Sequence, residues 1–231
     1  MANNDFYTGE EVINYQQKCP VVFVLDVSGS MGGDPINELN KGLQTFEQEI
    51  LQDDTASARL DVAIVSFGSD ERVEHDFALM QDYGMPVLTT SGSTNLEAGM
   101  RKGMEILEAR KQWYRESNQT YYRPYMILVT DGAPDQDPNS TGLTASIKAA
   151  VKSKKFNFWP IGVKNANMGL LEQMACPGEG ASLPAKKLEG LKFVELFQWL
   201  SASFGKVSNS KDGEGIDLTP EEGKNPFMIT V

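Results

Sequence analysis

VVFVLDVSGSM, Val21 to Met31, decides how this chain is read. Its first five residues are apolar and mostly β-branched, the pattern of a strand buried on both faces of a parallel sheet. The run then closes on one carboxylate, two hydroxyls at alternate positions and a glycine, none of which a buried strand needs. In an extended exit from the strand, Asp26, Ser28 and Ser30 project to one side, so a carboxylate and two hydroxyls converge. Oxygen donors of this kind suit a hard cation that keeps some of its water, which is the habit of magnesium. Gly29 lets the loop approach closely.

Two further apolar runs of the same character follow at wide spacing, PYMILVTDG from Pro124 and FNFWPIGV from Phe156. RLDVAIVSFG reads as another strand, and RVEHDFALM alternates weakly, as expected of an edge strand returning antiparallel through the turn at Gly68-Ser69-Asp70. A brief strand is expected at Lys186 to Leu188. Between them, Ile36, Leu39, Leu43, Phe46 and Ile50 keep helical spacing, as do Leu96, Met100, Gly103 and Leu107. Leu143, Ile147 and Val151 mark a third helix, Leu170, Leu171 and Met174 a short fourth, and Phe193, Leu196, Phe197, Leu200 and Phe204 one face of a last. Asp34 is expected to cap the first helix, with Pro35 at its first position. Strand alternating with helix predicts an α/β fold: a doubly wound, mostly parallel six-stranded sheet with helices on both faces and one antiparallel edge strand.

The chain has 231 residues, 40% of them hydrophobic and 23% charged, enough for one sizeable domain. That domain is expected over residues 18–205, after an N-terminal extension, 1–17, and before an acidic, mobile tail, 206–231, rich in Gly, Pro and Ser. A net charge of −11 repels phosphate backbones and anionic lipid heads, so neither nucleic acid nor membrane is an expected partner. The N-terminus has no basic and apolar leader, and no apolar run approaches the length of a membrane span, which predicts a cytoplasmic protein. In that setting Asn118-Gln119-Thr120 is not a meaningful glycosylation acceptor. Cys19 and Cys176, far apart, read as reduced thiols.

In a doubly wound sheet, ligands bind beyond the carboxyl ends of the strands where the winding reverses. The segment TSGSTNLEAG places Thr94 at a helix start, and LVTDGAPD places Asp131 at the exit of a second buried strand. Asp26, Ser28, Ser30, Thr94 and Asp131 are therefore the candidate metal ligands, for magnesium with manganese or calcium as alternative ions. Taken singly, each of these residues also suits a cap or turn.

DVSGSM, SGSTN and VTDG resemble the three segments of the metal-ion-dependent adhesion site of von Willebrand factor type A domains. The resemblance runs from about Pro20 to Phe204, all five ligand positions match, and the fold it implies is a Rossmann-like sheet with helices on both faces and one antiparallel edge strand, in agreement with the reading above. DVSGSMGGDPINELNKGL and LEGLKFVELFQWLSASF are similar to bacterial TerY-type proteins of tellurium-resistance and stress-response clusters. The resemblance implies a non-enzymatic module in which a Glu or Asp of a partner protein completes the shell of the ion. It also implies a stress-response setting, with a Ser/Thr kinase and a phosphatase encoded nearby as partners.

Rival readings have specific weaknesses. A magnesium phosphoester hydrolase of the haloacid-dehalogenase type needs a second carboxylate two residues after the first, where this chain has Ser28. No G-x-x-x-x-G-K-[ST] loop or G-x-S-x-G elbow is present. The single histidine, His75, lies on the weak edge strand and forms no triad. Capture of a small oxyanion is opposed by the charge of −11. Asp135 and Asp137 read as loop residues, with an acidic rim around the ion as the alternative. Tyr121, Tyr122 and Tyr125, with Trp113 and Tyr114, suit partial core packing as well as an interaction patch. Thr219-Pro220-Glu221-Glu222 reads as a solvated linker, with phosphorylation as the alternative.

Overall fold

The computed structural model describes residues 14–82, 84–175, 184–208 and 228–230. The run that opens the chain's reading is β1 (Cys19–Asp26), buried throughout. It pairs in parallel with β2 (Leu60–Phe67) on one side and β4 (Tyr125–Thr130) on the other. β3 (Glu71–Leu79) returns antiparallel to β2 as the edge strand, with register irregularities around Ile64. β5 (Asn157–Gly162) and β6 (Lys186–Leu188) extend the parallel sheet beyond β4. All six expected strands are present. A seventh, β7 (Met228–Thr230), adds antiparallel to β6 and completes the order β3-β2-β1-β4-β5-β6-β7. Chain order reverses between β1 and β4, so the crevice lies at their carboxyl ends.

Alternation along β1 divides the core. Val21, Phe23 and Leu25 face α1 (Asp34–Ile50) and α6 (Phe193–Ser208), whereas Val22 and Val24 face α3 (Leu96–Glu116). On the first face Phe23, Phe46 and Phe197 pack with ring centroids 5.4 to 6.0 Å apart. Gly42 of α1 makes this approach possible, because a Cβ there would lie 2.6 Å from Phe197 Cδ2 and 3.0 Å from the Phe193 carbonyl oxygen. The second face is completed by α4 (Leu143–Lys152) and α5 (Met168–Met174). No helix among the described residues is long and apolar enough to cross a membrane.

The structure departs from expectation at three places. Gly33, at a φ of 81°, is the residue before α1, and Asp34 already lies inside the first turn without a side-chain cap bond. Its carboxylate therefore acts on the positive end of the helix dipole rather than as a cap. A short helix, α2 (Asp54–Arg59), is added between α1 and β2, started by Asp53 accepting from Thr55 and Ala56 N–H groups. Of the stretch 206–231, residues 206–208 close α6 and 228–230 form β7. Residues 209–227, with Thr219 to Glu222, lie outside the described residues, as do Cys176 and residues 1–13 of the extension. Cys19 is a buried free thiol, which its reduced reading requires.

Candidate metal centre

Asp26 is the last residue of β1 and is fully buried. Its Oδ1 accepts from the Ser28 N–H at 2.8 Å and its Oδ2 from the Thr130 hydroxyl at 2.6 Å. The side chain is thus held from its own exit turn and from the end of the neighbouring strand. Burial pushes the Asp26 carboxyl above its ordinary range, opposed by bonds from Ser28 and Thr130, with Asp131 nearby adding to the rise.

Beyond Asp26 the chain tightens into a single 3-10 turn, Gly29–Met31, closed by the Met31 N–H on the Ser28 carbonyl. This turn brings the Ser28 and Ser30 hydroxyl oxygens to 3.0 Å, and Ser30 Oγ donates to Asp131 Oδ1 at 2.5 Å. Asp131 follows β4 and is buried. The third segment is stitched on by its backbone: Ser91 N–H donates to the Val27 carbonyl, Gly29 N–H to that of Gly92, and Asn95 N–H to that of Gly68. Asn95 caps α3 through Ala98 N–H, placing Thr94 just before the helix. A Cβ on Gly132 would lie 3.6 Å from Thr94 Oγ1 and 3.8 Å from Ser30 Oγ, so both hydroxyls crowd the same bare backbone. All five residues read from the sequence therefore gather at the carboxyl ends of β1 and β4.

Two neighbours were not assigned to the site from sequence. Asp135 exchanges bonds with Thr94: its Oδ1 accepts the Thr94 N–H at 3.1 Å, and its own N–H donates to the Thr94 carbonyl at 3.0 Å. It is a positioning residue for Thr94. Asp137, by contrast, folds its own loop by accepting the Asn139 N–H, as the loop reading requires. Lys164, on the turn after β5, donates to the Ser30 carbonyl at 2.8 Å and lies 3.6 Å from Asp131 Oδ2. No local motif marks it; only the adjacency of β4 and β5 brings it there.

The other candidates resolve into structure. His75 sits on β3 against the Asp76 carbonyl oxygen. Tyr114 is fully buried and bonds Asp61 through its hydroxyl, Tyr121 stacks on it, and Tyr125 packs on Trp159. These aromatic rings pack in and around the core.

The donor set itself tests the fit of a cation. No three His, Cys, Asp or Glu side chains among the described residues form a metal cage. What converges is two buried carboxylates and three hydroxyls, an all-oxygen set that excludes soft-metal chemistry and fits a hard divalent ion. Two negative charges withdrawn from water call for a positive one.

Fold and site together define a Rossmann-like α/β domain with an oxygen-rich crevice at its switch point. The von Willebrand factor type A domain model matches residues 21–192, and the chain belongs to that family. It is 28% identical over 167 residues to inter-alpha-trypsin inhibitor heavy chain H3 of Mesocricetus auratus, covering 70% of this chain and 18% of the relative. With heavy chain H1 of Homo sapiens it shares 25% over 194 residues, 78% of this chain and 20% of the relative. The chain thus spans about a fifth of the length of these curated relatives. Among solved structures, it resembles the ArnB paralog VWA2 of Sulfolobus acidocaldarius (TM-score 0.56, 18% identity, 82% of this chain and 46% of that one). The pilus adhesin SpaC of Lactobacillus rhamnosus GG, in its open conformation, gives a TM-score of 0.64 at 14% identity, over 84% of this chain and 31% of that one. The family is one of protein-interaction modules, generally non-enzymatic, that typically bind a divalent metal at an adhesion site.

Proposed function

We propose that this protein binds a partner protein through a magnesium ion held by Asp26, Ser28, Ser30, Thr94 and Asp131, with manganese or calcium as substitutes. The observation that carries the reading is the meeting of these five side chains, from three separate segments, at the switch point of the sheet. When bound, the ion would supply an electrophilic centre only partly neutralised by two carboxylates, open to a Glu or Asp oxygen from outside. The residues of the chain do the rest. Thr130 and the Ser28 N–H orient Asp26, Ser30 holds Asp131, and Asp135 holds the Thr94 backbone.

The setting we propose is a cytoplasmic bacterial stress response, including tellurite resistance, with a kinase and a phosphatase among the partners. It rests on the likeness of DVSGSMGGDPINELNKGL and LEGLKFVELFQWLSASF to TerY-type proteins. A hydrolase is disfavoured because Ser28 stands where a second carboxylate is needed, and because His75 lies on β3.

Magnesium titration by calorimetry tests the reading, using the intact protein and Asp26→Ala, each with and without a short acidic peptide. The wild type should bind the ion, Asp26→Ala should not, and the peptide should bind only with the ion present. Metal-independent peptide binding, or phosphatase activity on a generic ester with magnesium, would sink it.

A further inference from the structure

Lys164 is the one basic side chain, among the described residues, in an ion pair with either carboxylate of the centre. It is held there by design of the fold. β5 pairs with β4 to its last residue, Gly162 opposite Thr130, and the Val163 N–H then donates to the Thr130 carbonyl. The next residue, Lys164, adopts a φ of 49°, in the left-handed region that a side chain disfavours. That conformation aims the lysine across the crevice, where Nζ donates to the Ser30 carbonyl at 2.8 Å and faces Asp131 Oδ2 at 3.6 Å. One ammonium thus bridges the loops after β1, β4 and β5. Asp131 has its other oxygen occupied by the Ser30 hydroxyl. The lysine side chain is 34% exposed while that of Asp131 is 1% exposed, so the amine can leave for water and the carboxylate cannot.

We propose that Lys164 is a tethered counter-cation of the metal centre: it offsets the Asp131 charge, one of the two carboxylates of the crevice, in the metal-free protein and competes with the incoming divalent ion, setting its affinity. This inference rests on the metal-binding reading above. A divalent ion beside Asp131 repels the ammonium, which must give up the carboxylate and move toward solvent. Metal binding therefore carries the cost of breaking one partly exposed ion pair, which lowers affinity without removing any ligand. The lysine acts through Asp131 and Ser30 and is a positioning residue, not a ligand.

The test is a magnesium titration by calorimetry of the wild type, Lys164→Gln and Lys164→Arg, with thermal unfolding of each in the absence and presence of saturating magnesium. Lys164→Gln should bind magnesium about fivefold more tightly, the scale of one partly exposed charge pair. Without metal it should unfold at a lower temperature than the wild type, with the gap closing when magnesium is added. Lys164→Arg, which keeps the charge, should match the wild type. Lys164→Gly removes the charge and relieves the left-handed backbone, so it serves if the glutamine variant folds poorly. Wild-type magnesium binding with equal or weaker binding by Lys164→Gln and Lys164→Gly overturns this inference alone. So does an arginine variant that binds as tightly as the glutamine one. Failure of every protein to bind magnesium overturns the metal-binding reading and this inference together.

Discussion

Each end of the central sheet buries an aspartate, Asp26 at the carboxyl end of β1 and Asp61 near the amino end of β2, and the fold treats them differently. Asp61 receives a cation from the chain itself. Arg110 Nε donates to its Oδ2 at 2.8 Å, the Tyr114 hydroxyl bonds the same oxygen, and the guanidinium lies over the Trp113 ring at 4.2 Å from its centroid. Asp26 is held by neutral donors, the Ser28 backbone and side chain and the Thr130 hydroxyl, and has a second carboxylate as a neighbour. A buried charge paired with a buried cation has its charge balanced when the chain folds, even though Asp61 Oδ1 finds no hydrogen-bond partner among the described residues. One held by neutral donors is oriented but not neutralised, which is the condition for taking a cation from outside.

The largest expected effect comes from breaking the self-contained end. Arg110→Met leaves the Asp61 carboxylate buried without its cation and should cost about 3–5 kcal/mol in urea unfolding. Adding Asp61→Leu should recover most of that loss. A cost for Arg110→Met no larger than that of a surface substitution would end the distinction between the two aspartates. At the other end, Asp26→Asn should leave the metal-free protein within about 1 kcal/mol of wild type, since a buried charge disappears while its size remains. The same variant should lose calorimetrically detectable magnesium binding. A smaller effect is expected from Thr130→Val, which removes the hydroxyl that fixes Asp26 Oδ2. Magnesium affinity should fall about tenfold, the lower range for a group that orients a metal ligand.

The two ends also differed in how far they could be read from sequence. The candidate site was legible because Asp26, Ser28, Ser30 and Asp131 lie at or directly after the ends of strands whose apolar runs are unmistakable, and Thr94 just before a helix, so local motifs and their places in the fold coincide. The five candidates needed only the order of the sheet to meet. Lys164 was not legible, because nothing around it signals a site and its contact depends on β5 lying beside β4. Asp135 was visible but reads like any loop aspartate until its reciprocal bonds with Thr94 are seen. The Asp61 cluster was hidden for the same long-range reason, since Arg110 lies on the amphipathic helix α3, 49 residues from Asp61. The short helix α2 has no apolar stripe to announce it and depends on the Asp53 cap. β7 is set by its pairing with β6, a contact between segments far apart in the chain.

Lys18, which lies close enough to the Asp61 cluster to feel its charges, offers the finest test of the contrast. Its amine donates to the Asn14 and Gln16 carbonyls at 3.0 Å and to the Asn14 side chain. Burial lowers its pKa from 10.5 to about 8; Asp61 opposes that fall, while Arg110 and Arg59 add to it. Because the folded pKa lies below the unfolded one, the protonated amine burdens the folded state fully below pH 8. As pH rises from about 8 toward 10.5, the folded protein releases this proton first and the unfolded chain binds more protons, so this group's contribution to stability increases. Cys19, Tyr114 and Tyr125 act oppositely in alkali, since burial raises all three and the unfolded chain ionises them first. The difference between wild type and Lys18→Met isolates the lysine. In urea unfolding, wild type should gain stability relative to the variant across that window and hold a constant difference above it. Asp61→Asn, introduced into both proteins, removes the charge that opposes the fall and should make that gain begin at lower pH and grow larger, whereas Asp26→Asn, at the far end of the sheet, should leave the gain unchanged. A gain that instead followed Asp26 would show the two ends to be electrostatically one site.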